Sequence, residues 1–141
     1  MKLSIGSDHA GFQLKETLKK LIKQKGYGII DVGTDSNESC DYPDIAHPLA
    51  ENVIKEGNFG IGICGSGNGI NMALNKHNGI RAALCWNVKI AKLARQHNDA
   101  NVLVLPARFI DAVVAMNCVE IFLESDFEGG RHARRVNKIP I

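Results

Sequence analysis

A chain of 141 residues, 45% hydrophobic and 23% charged, has the size and balance of one ordinary globular domain. Its net charge of +2 is too small to argue for nucleic acid or an anionic membrane surface, and no apolar run approaches the ~20 residues that cross a bilayer. The four cysteines form no CxxC pair and no zinc-type spacing with a histidine, so reduced thiols in a cytoplasmic protein are expected.

One domain over residues 1–141 is expected, without linker, repeat or low-complexity tract. The first residues run directly into a strand at 3–6, so no apolar leader is expected. From 11 to 25 the apolar positions Phe12, Leu14, Leu18, Leu21 and Ile22 recur at helical spacing, and Gly26 ends the helix. Residues 28–32 form the second strand. Asp44 is expected to cap a helix over 45–55, with Pro48 tolerated near its first turn. A third strand at 59–64 runs into a glycine-rich turn, followed by a helix over about 70–75. Residues 80–85 form a fourth strand, 88–95 a helix, 101–105 a fifth strand and 109–123 a long apolar helix. The basic tail from Gly129 is irregular or a short helix.

Strands alternating with helices imply βαβ units and a parallel sheet covered on both faces. Open sheets of this kind bind ligands beyond the carboxyl ends of their strands. Reactive side chains concentrate after these strands: Ser7, Asp8 and His9 after the first, residues 65–69 after the third, Arg108 after the fifth.

The stretch Ile63-Cys64-Gly65-Ser66-Gly67-Asn68-Gly69 is the most informative. Alternating glycines between a strand and a helix let successive N–H groups face one point, an anion-binding nest. It is neither GxGxxG nor a P-loop. A thiol at the mouth of such a nest is expected to be acidified, which suits a base or nucleophile. Taken alone, Cys64 reads rather as a small buried strand residue.

His9 and His97 are both expected at the ligand-binding end of the sheet, with Asp8 and Asn98 beside them. His47 and His77 read as surface residues. No histidine has a metal-type spacing with a carboxylate, so neither a metal nor another cofactor is expected. Arg108, Arg131 and Arg135 offer planar forks for a phosphate. Arg131 and Arg135 share one face if the tail is helical, and Glu128-Gly129-Gly130 reads as the turn that aims them.

Taken in order, Gly6-Ser7-Asp8-His9-Ala10-Gly11-Phe12, Asp41-Tyr42-Pro43, residues 63–69, Asn75-Lys76, Gly79-Ile80-Arg81-Ala82, residues 95–101 and Glu128-Gly129-Gly130-Arg131-His132 resemble the ribose-5-phosphate isomerase B family. That family also includes allose- and galactose-6-phosphate isomerases. The resemblance covers nearly the whole chain. It implies a three-layer α/β/α sandwich with a Rossmann-like five-stranded parallel sheet, without metal or nucleotide. It implies a homodimer, or a dimer of dimers, whose active sites are shared between subunits. The activity implied is interconversion of ribose 5-phosphate and ribulose 5-phosphate through a cis-enediolate, a step of the non-oxidative pentose phosphate pathway. A hexose-6-phosphate isomerase and a non-catalytic phosphosugar-binding module are the alternatives.

Carried over by position, Cys64 matches the base and His97 the group that opens the sugar ring. Asp8, His9, Tyr42 and Asn98 match substrate-binding positions. Gly65, Ser66, Gly67, Asn68 and Gly69 match the loop around the enediolate, and Arg108, Arg131 and Arg135 the phosphate clamp. Ser66 stands where many members have threonine. Ile70 stands where one branch carries a glutamate base, so only the cysteine-type mechanism is open to this chain.

Overall fold

A computed structural model describes residues 1–141. Five strands form one wholly parallel sheet: β1 (Lys2–Ser7), β2 (Gly28–Asp31), β3 (Phe59–Cys64), β4 (Ala82–Leu84) and β5 (Val102–Pro106). Their spatial order is β2-β1-β3-β5-β4. The helices are α1 (Phe12–Gln24), α2 (Pro43–Glu56), α3 (Asn68–Leu74), α4 (Val88–Asn98), α5 (Ala112–Glu124) and α6 (Arg131–Val136). No helix is long and apolar enough to cross a membrane.

Strand side chains alternate between two cores. Leu3, Ile5, Ile61, Ile63, Leu103 and Leu105 pack with Leu18, Ile22, Ala94, Ala115, Val119 and Phe122 of α1, α4 and α5. On the opposite face Cys64, Val102 and Val104 meet Ile45, Leu49, Val53, Ile70 and Leu74 of α2 and α3. The three-layer α/β/α sandwich expected from the sequence is therefore present. Gly60 and Gly62 let α2 and α3 approach closely. A Cβ on Gly60 would lie 2.7 Å from Val53 Cγ2, and one on Gly62 would lie 3.1 Å from Leu74 Cδ1.

The boundaries depart from expectation where side chains replace the sheet ladder or set a cap. Strand β4 is confined to three residues because the preceding backbone is held by asparagines. Asn101 Oδ1 accepts from the Arg81 N–H at 2.8 Å, and the Asn75 amide bonds both the N–H and the carbonyl of Ala82. Asp44 is not the cap of α2: the helix begins at Pro43, and Asp44 lies in its first turn. Pro48 is the sixth residue of α2, in the second turn and exposed. Helix α5 starts at Ala112 because Asp111 caps it, accepting from the Val114 N–H at 2.8 Å. Helix α4 runs three residues past Arg95, to Asn98. This extension matters for the site.

Lys15, a helix residue with no special signature in the sequence, is fully buried. Its ammonium donates to both Asp31 oxygens and to the Thr34 carbonyl, each at 2.8 Å. It ties α1 to the end of β2 and to the loop beside Ser7. Burial alone would raise the Asp31 pKa. Hydrogen bonds from Lys15, Lys19 and the Gly33 N–H outweigh it and hold the carboxyl below its usual range. A lowered folded-state pKa adds stability above the unfolded value of about 4, and that stability is lost as pH falls through the folded value. Lys15→Met is expected to cost about 2 kcal/mol at neutral pH, below the ~3–5 of a fully buried pair, because Asp31 stays partly exposed and keeps Lys19. Urea unfolding at pH 7 and pH 3 checks this: the deficit should shrink in acid, and an equal deficit at both would discount the ion pair.

Candidate active site

The strand order creates the site. From β1 the chain passes to β2 on one side and then returns to β3 on the other, so the loops after β1 and β3 diverge and leave a crevice. Asp8 and His9 enter it from β1, and Cys64 with residues 65–69 from β3. Asp8 is buried, and its Oδ1 caps the 3-10 turn His9–Gly11 by accepting from the Gly11 N–H at 3.2 Å. The Asp8 N–H donates to the Ile63 carbonyl, one residue before the thiol. Nδ1 of His9 accepts from the Cys40 N–H at 3.2 Å, so the ring proton sits on Nε2. That bond also anchors the segment leading to Tyr42.

Cys64 is 5% exposed at the last position of β3, on the face toward α2 and α3. All four cysteines are free. Burial pushes the Cys85 and Cys118 thiols up to about 12 and about 11. Those two are packing residues of the core.

The turn after Cys64 needs its glycines. Gly67 has φ +80, and a Cβ there would collide with Leu84. On Gly69 a Cβ would collide with the Tyr42 ring, which lies flat over the turn. The N–H groups of Gly65, Ser66, Gly67 and Gly69 donate to no protein acceptor, while that of Asn68 is taken by Ser66 Oγ at 3.3 Å. Gly65 and Gly67 are buried. Buried N–H groups without partners are rare in folded chains, and here they gather beside a thiol. The Arg108 N–H donates to the Gly65 carbonyl at 3.0 Å, and its guanidinium lies over Gly65.

His97, Asn98, Arg131 and Arg135 are elsewhere, which corrects the placement of His97 at the ligand-binding end. A residue just before a parallel strand lies at the amino end of the sheet, because a crossover helix runs antiparallel to its strands. Helix α4 starts beyond the carboxyl end of β4 and descends about 16 Å over eleven residues. Asn101, three residues after its end, bonds to Gly60 near the start of β3. Cys64 is four residues further along β3, about 13 Å away.

The amino end has a fixed geometry of its own. Asp99 ends α4 with φ +48, and its carboxylate takes Arg95 at 2.9 Å and Arg81 at 3.1 Å. Gly129 and Gly130, at φ +69 and +55, form the expected turn, which the Glu128 N–H pins to the Gln96 carbonyl at 3.0 Å. Helix α6 then presents Arg131 and Arg135, both exposed and without carboxylate partners, as is Arg108.

Two groupings escaped the sequence reading. The His132 ring stacks on His97, with centroids 4.1 Å apart and planes 11° from parallel, and Glu128 lies beside both. The i,i+4 spacing of Glu128 and His132 was the available signal. His47 and His77, read as independent surface residues, are bonded to each other at 2.7 Å.

The candidate residues of one chain therefore fall into two groups at opposite ends of the sheet. The first holds Asp8, His9, Tyr42, Cys64, residues 65–69 and Arg108. The second holds His97, Asn98, Arg131 and Arg135.

Comparison with known proteins agrees with this architecture. The Ribose/Galactose Isomerase family model matches residues 3–139. Ribose-5-phosphate isomerase B of Escherichia coli (strain K12) is 43% identical over 139 residues, 98% of this chain and 93% of that protein. A ribose 5-phosphate isomerase structure from Thermotoga maritima superposes with a TM-score of 0.96 at 49% identity, covering 98% of this chain and 96% of that one. A ribose-5-phosphate isomerase B structure from Mycoplasma genitalium with bound ribulose-5-phosphate gives 0.94 at 43% identity, covering 98% and 93%. The chain belongs to the ribose/galactose isomerase family.

Proposed function

We propose that this protein is an aldose–ketose isomerase interconverting ribose 5-phosphate and ribulose 5-phosphate, with Cys64 as the base. The carrying observation is the buried thiol at the switch-point end of β3, followed at once by four unpartnered backbone N–H groups. A mere binding module has no use for a thiol so placed. Both family members compared above at 43% identity carry ribose-5-phosphate isomerase names, which favours the pentose over a hexose phosphate.

In this reading His97 opens the furanose, taking the proton of the anomeric hydroxyl and returning one to the ring oxygen. Cys64, as thiolate, removes the C2 proton. The developing enediolate oxygens lie against the N–H groups of residues 65–69, fixed donors that need no reorganisation as charge develops. Ser66 carries the proton between O1 and O2: its oxygen is already held by the Asn68 N–H, which leaves its own O–H to donate. The proton on Cys64 then returns to C1. Arg108, Arg131 and Arg135 hold the phosphate, so that binding energy remote from the reaction fixes the reacting carbons.

Cys64 and His97 lie too far apart in one chain to serve one pentose. The active form is therefore a homodimer in which one copy's thiol half-site faces the other copy's histidine half-site, with Asn98, Arg131 and Arg135 arriving alongside. Initial rates with ribose 5-phosphate and allose 6-phosphate test the assignment. Turnover is expected on the pentose with little on the hexose. Preference for the hexose would overturn the pentose reading, and binding of both without turnover would overturn the enzyme.

A further inference from the structure

The amino-end cluster has a second chemistry. Nε2 of His97 and Nε2 of His132 each lie 3.6 Å from the same Glu128 oxygen, Oε1. All three ligand atoms fall within 4.8 Å of one another. At 3.6 Å neither contact is a hydrogen bond. A carboxylate oxygen is thus flanked equally by two imidazole nitrogens, just beyond hydrogen-bonding distance of both. Zinc-type ions bind imidazole nitrogen and carboxylate oxygen at ~2.0–2.2 Å, so adjacent ligands of a tetrahedral site lie about 3.3–3.5 Å apart. The two contacts on Glu128 match that edge within a few tenths of an ångström. The two rings are stacked, and both Nε2 atoms face the same Glu128 oxygen.

We propose that His97, Glu128 and His132 bind one divalent transition-metal ion of the zinc class, with two nitrogens, one carboxylate oxygen and an open fourth position. Donor type favours such an ion over calcium or magnesium, which prefer all-oxygen shells. Arg131 and Arg135 on the same short helix oppose a cation, which limits affinity without removing a ligand. The metal takes Nε2 of His97, the side chain that the proposed ring opening requires. Resting on that reading, its occupancy inhibits the isomerase.

The test is titration of the metal-free protein with Co2+, followed by visible absorption. The background is His47→Gln, which removes the competing His47–His77 pair on α2 and the loop after α3. Expected are four-coordinate d–d bands saturating at one ion per chain, with affinity lowered about tenfold or more in Glu128→Gln and in His132→Asn. Glu128 is half exposed, so its variant keeps the test meaningful if His132→Asn misfolds. Bands unchanged in Glu128→Gln, a thiolate charge-transfer band, or no binding up to roughly 1 mM would each overturn the site. Zn2+ should abolish turnover of ribose 5-phosphate, with recovery on chelation. If the isomerase reading itself fails there is no turnover to inhibit, and the cobalt spectrum still decides.

Discussion

Cys64→Ala is expected to lower kcat with ribose 5-phosphate by about 10²- to 10⁴-fold, the span that a positioned general base contributes. KM should change little, because the arginines and the N–H groups of residues 65–69 remain. A loss in kcat at constant KM marks an interaction made only in the transition state. The substitution removes one sulfur from a nearly closed position, so folding should survive at a modest stability cost. Cys118→Ala is the matched control: that thiol is also buried, is pushed to about 11, and lies in the core opposite α2 and α3. Near-normal kcat in Cys64→Ala, or an equal loss in Cys118→Ala, would remove Cys64 from the mechanism.

A second large effect follows from the two half-sites. Cys64→Ala and His97→Asn should each be nearly inactive. Mixed after partial unfolding and refolding, equal amounts should regain about a quarter of wild-type activity. The figure follows from twofold pairing. Half the dimers are mixed, and in each mixed dimer one site receives both defects while the other receives none. If Cys64 and His97 of one chain served the same site, every site would carry one defect and no activity would return. The two variants combined as preformed dimers, without unfolding and well above the dimer dissociation constant, supply the unmixed baseline.

The sequence and the structure agree most where structure is local. Strand β3 is read to the residue, because an apolar run ending in a glycine cluster leaves little freedom. The placement of Cys64 beside a turn of glycines is equally local. Gly67 and Gly69 are forced by Leu84 and Tyr42, yet the demand for small residues is visible without knowing what they avoid. Helix ends were read less well. Asp44 looked like a cap, but a segment anchored by His9 and closed by Tyr42 starts α2 earlier. Asn75 and Asn101 shorten β4 through side-chain bonds that no local periodicity announces.

His97 shows the larger difficulty. Its residue type and neighbours pointed to proton transfer, and nothing in its local pattern marked the end of the sheet on which it sits. The full length of α4 and the position of β5 between β3 and β4 carry it to the amino end of the sheet, opposite the end that holds the thiol. The His132 stack and the Glu128 contacts arise only because α6 folds back against α4. Lys15 is similar: a helical lysine in the sequence, it is fully buried because Asp31 and Thr34 meet it across the first βαβ unit.

By itself the sequence determined the α/β class, the order of elements and the glycine-rich turn after Cys64, because hydrophobic period and glycine chemistry act over a few residues. Only the tertiary structure decided the strand order, the crevice between β1 and β3, and the separation of thiol from histidine, because those depend on which distant strands pair and on the direction each crossover helix must run.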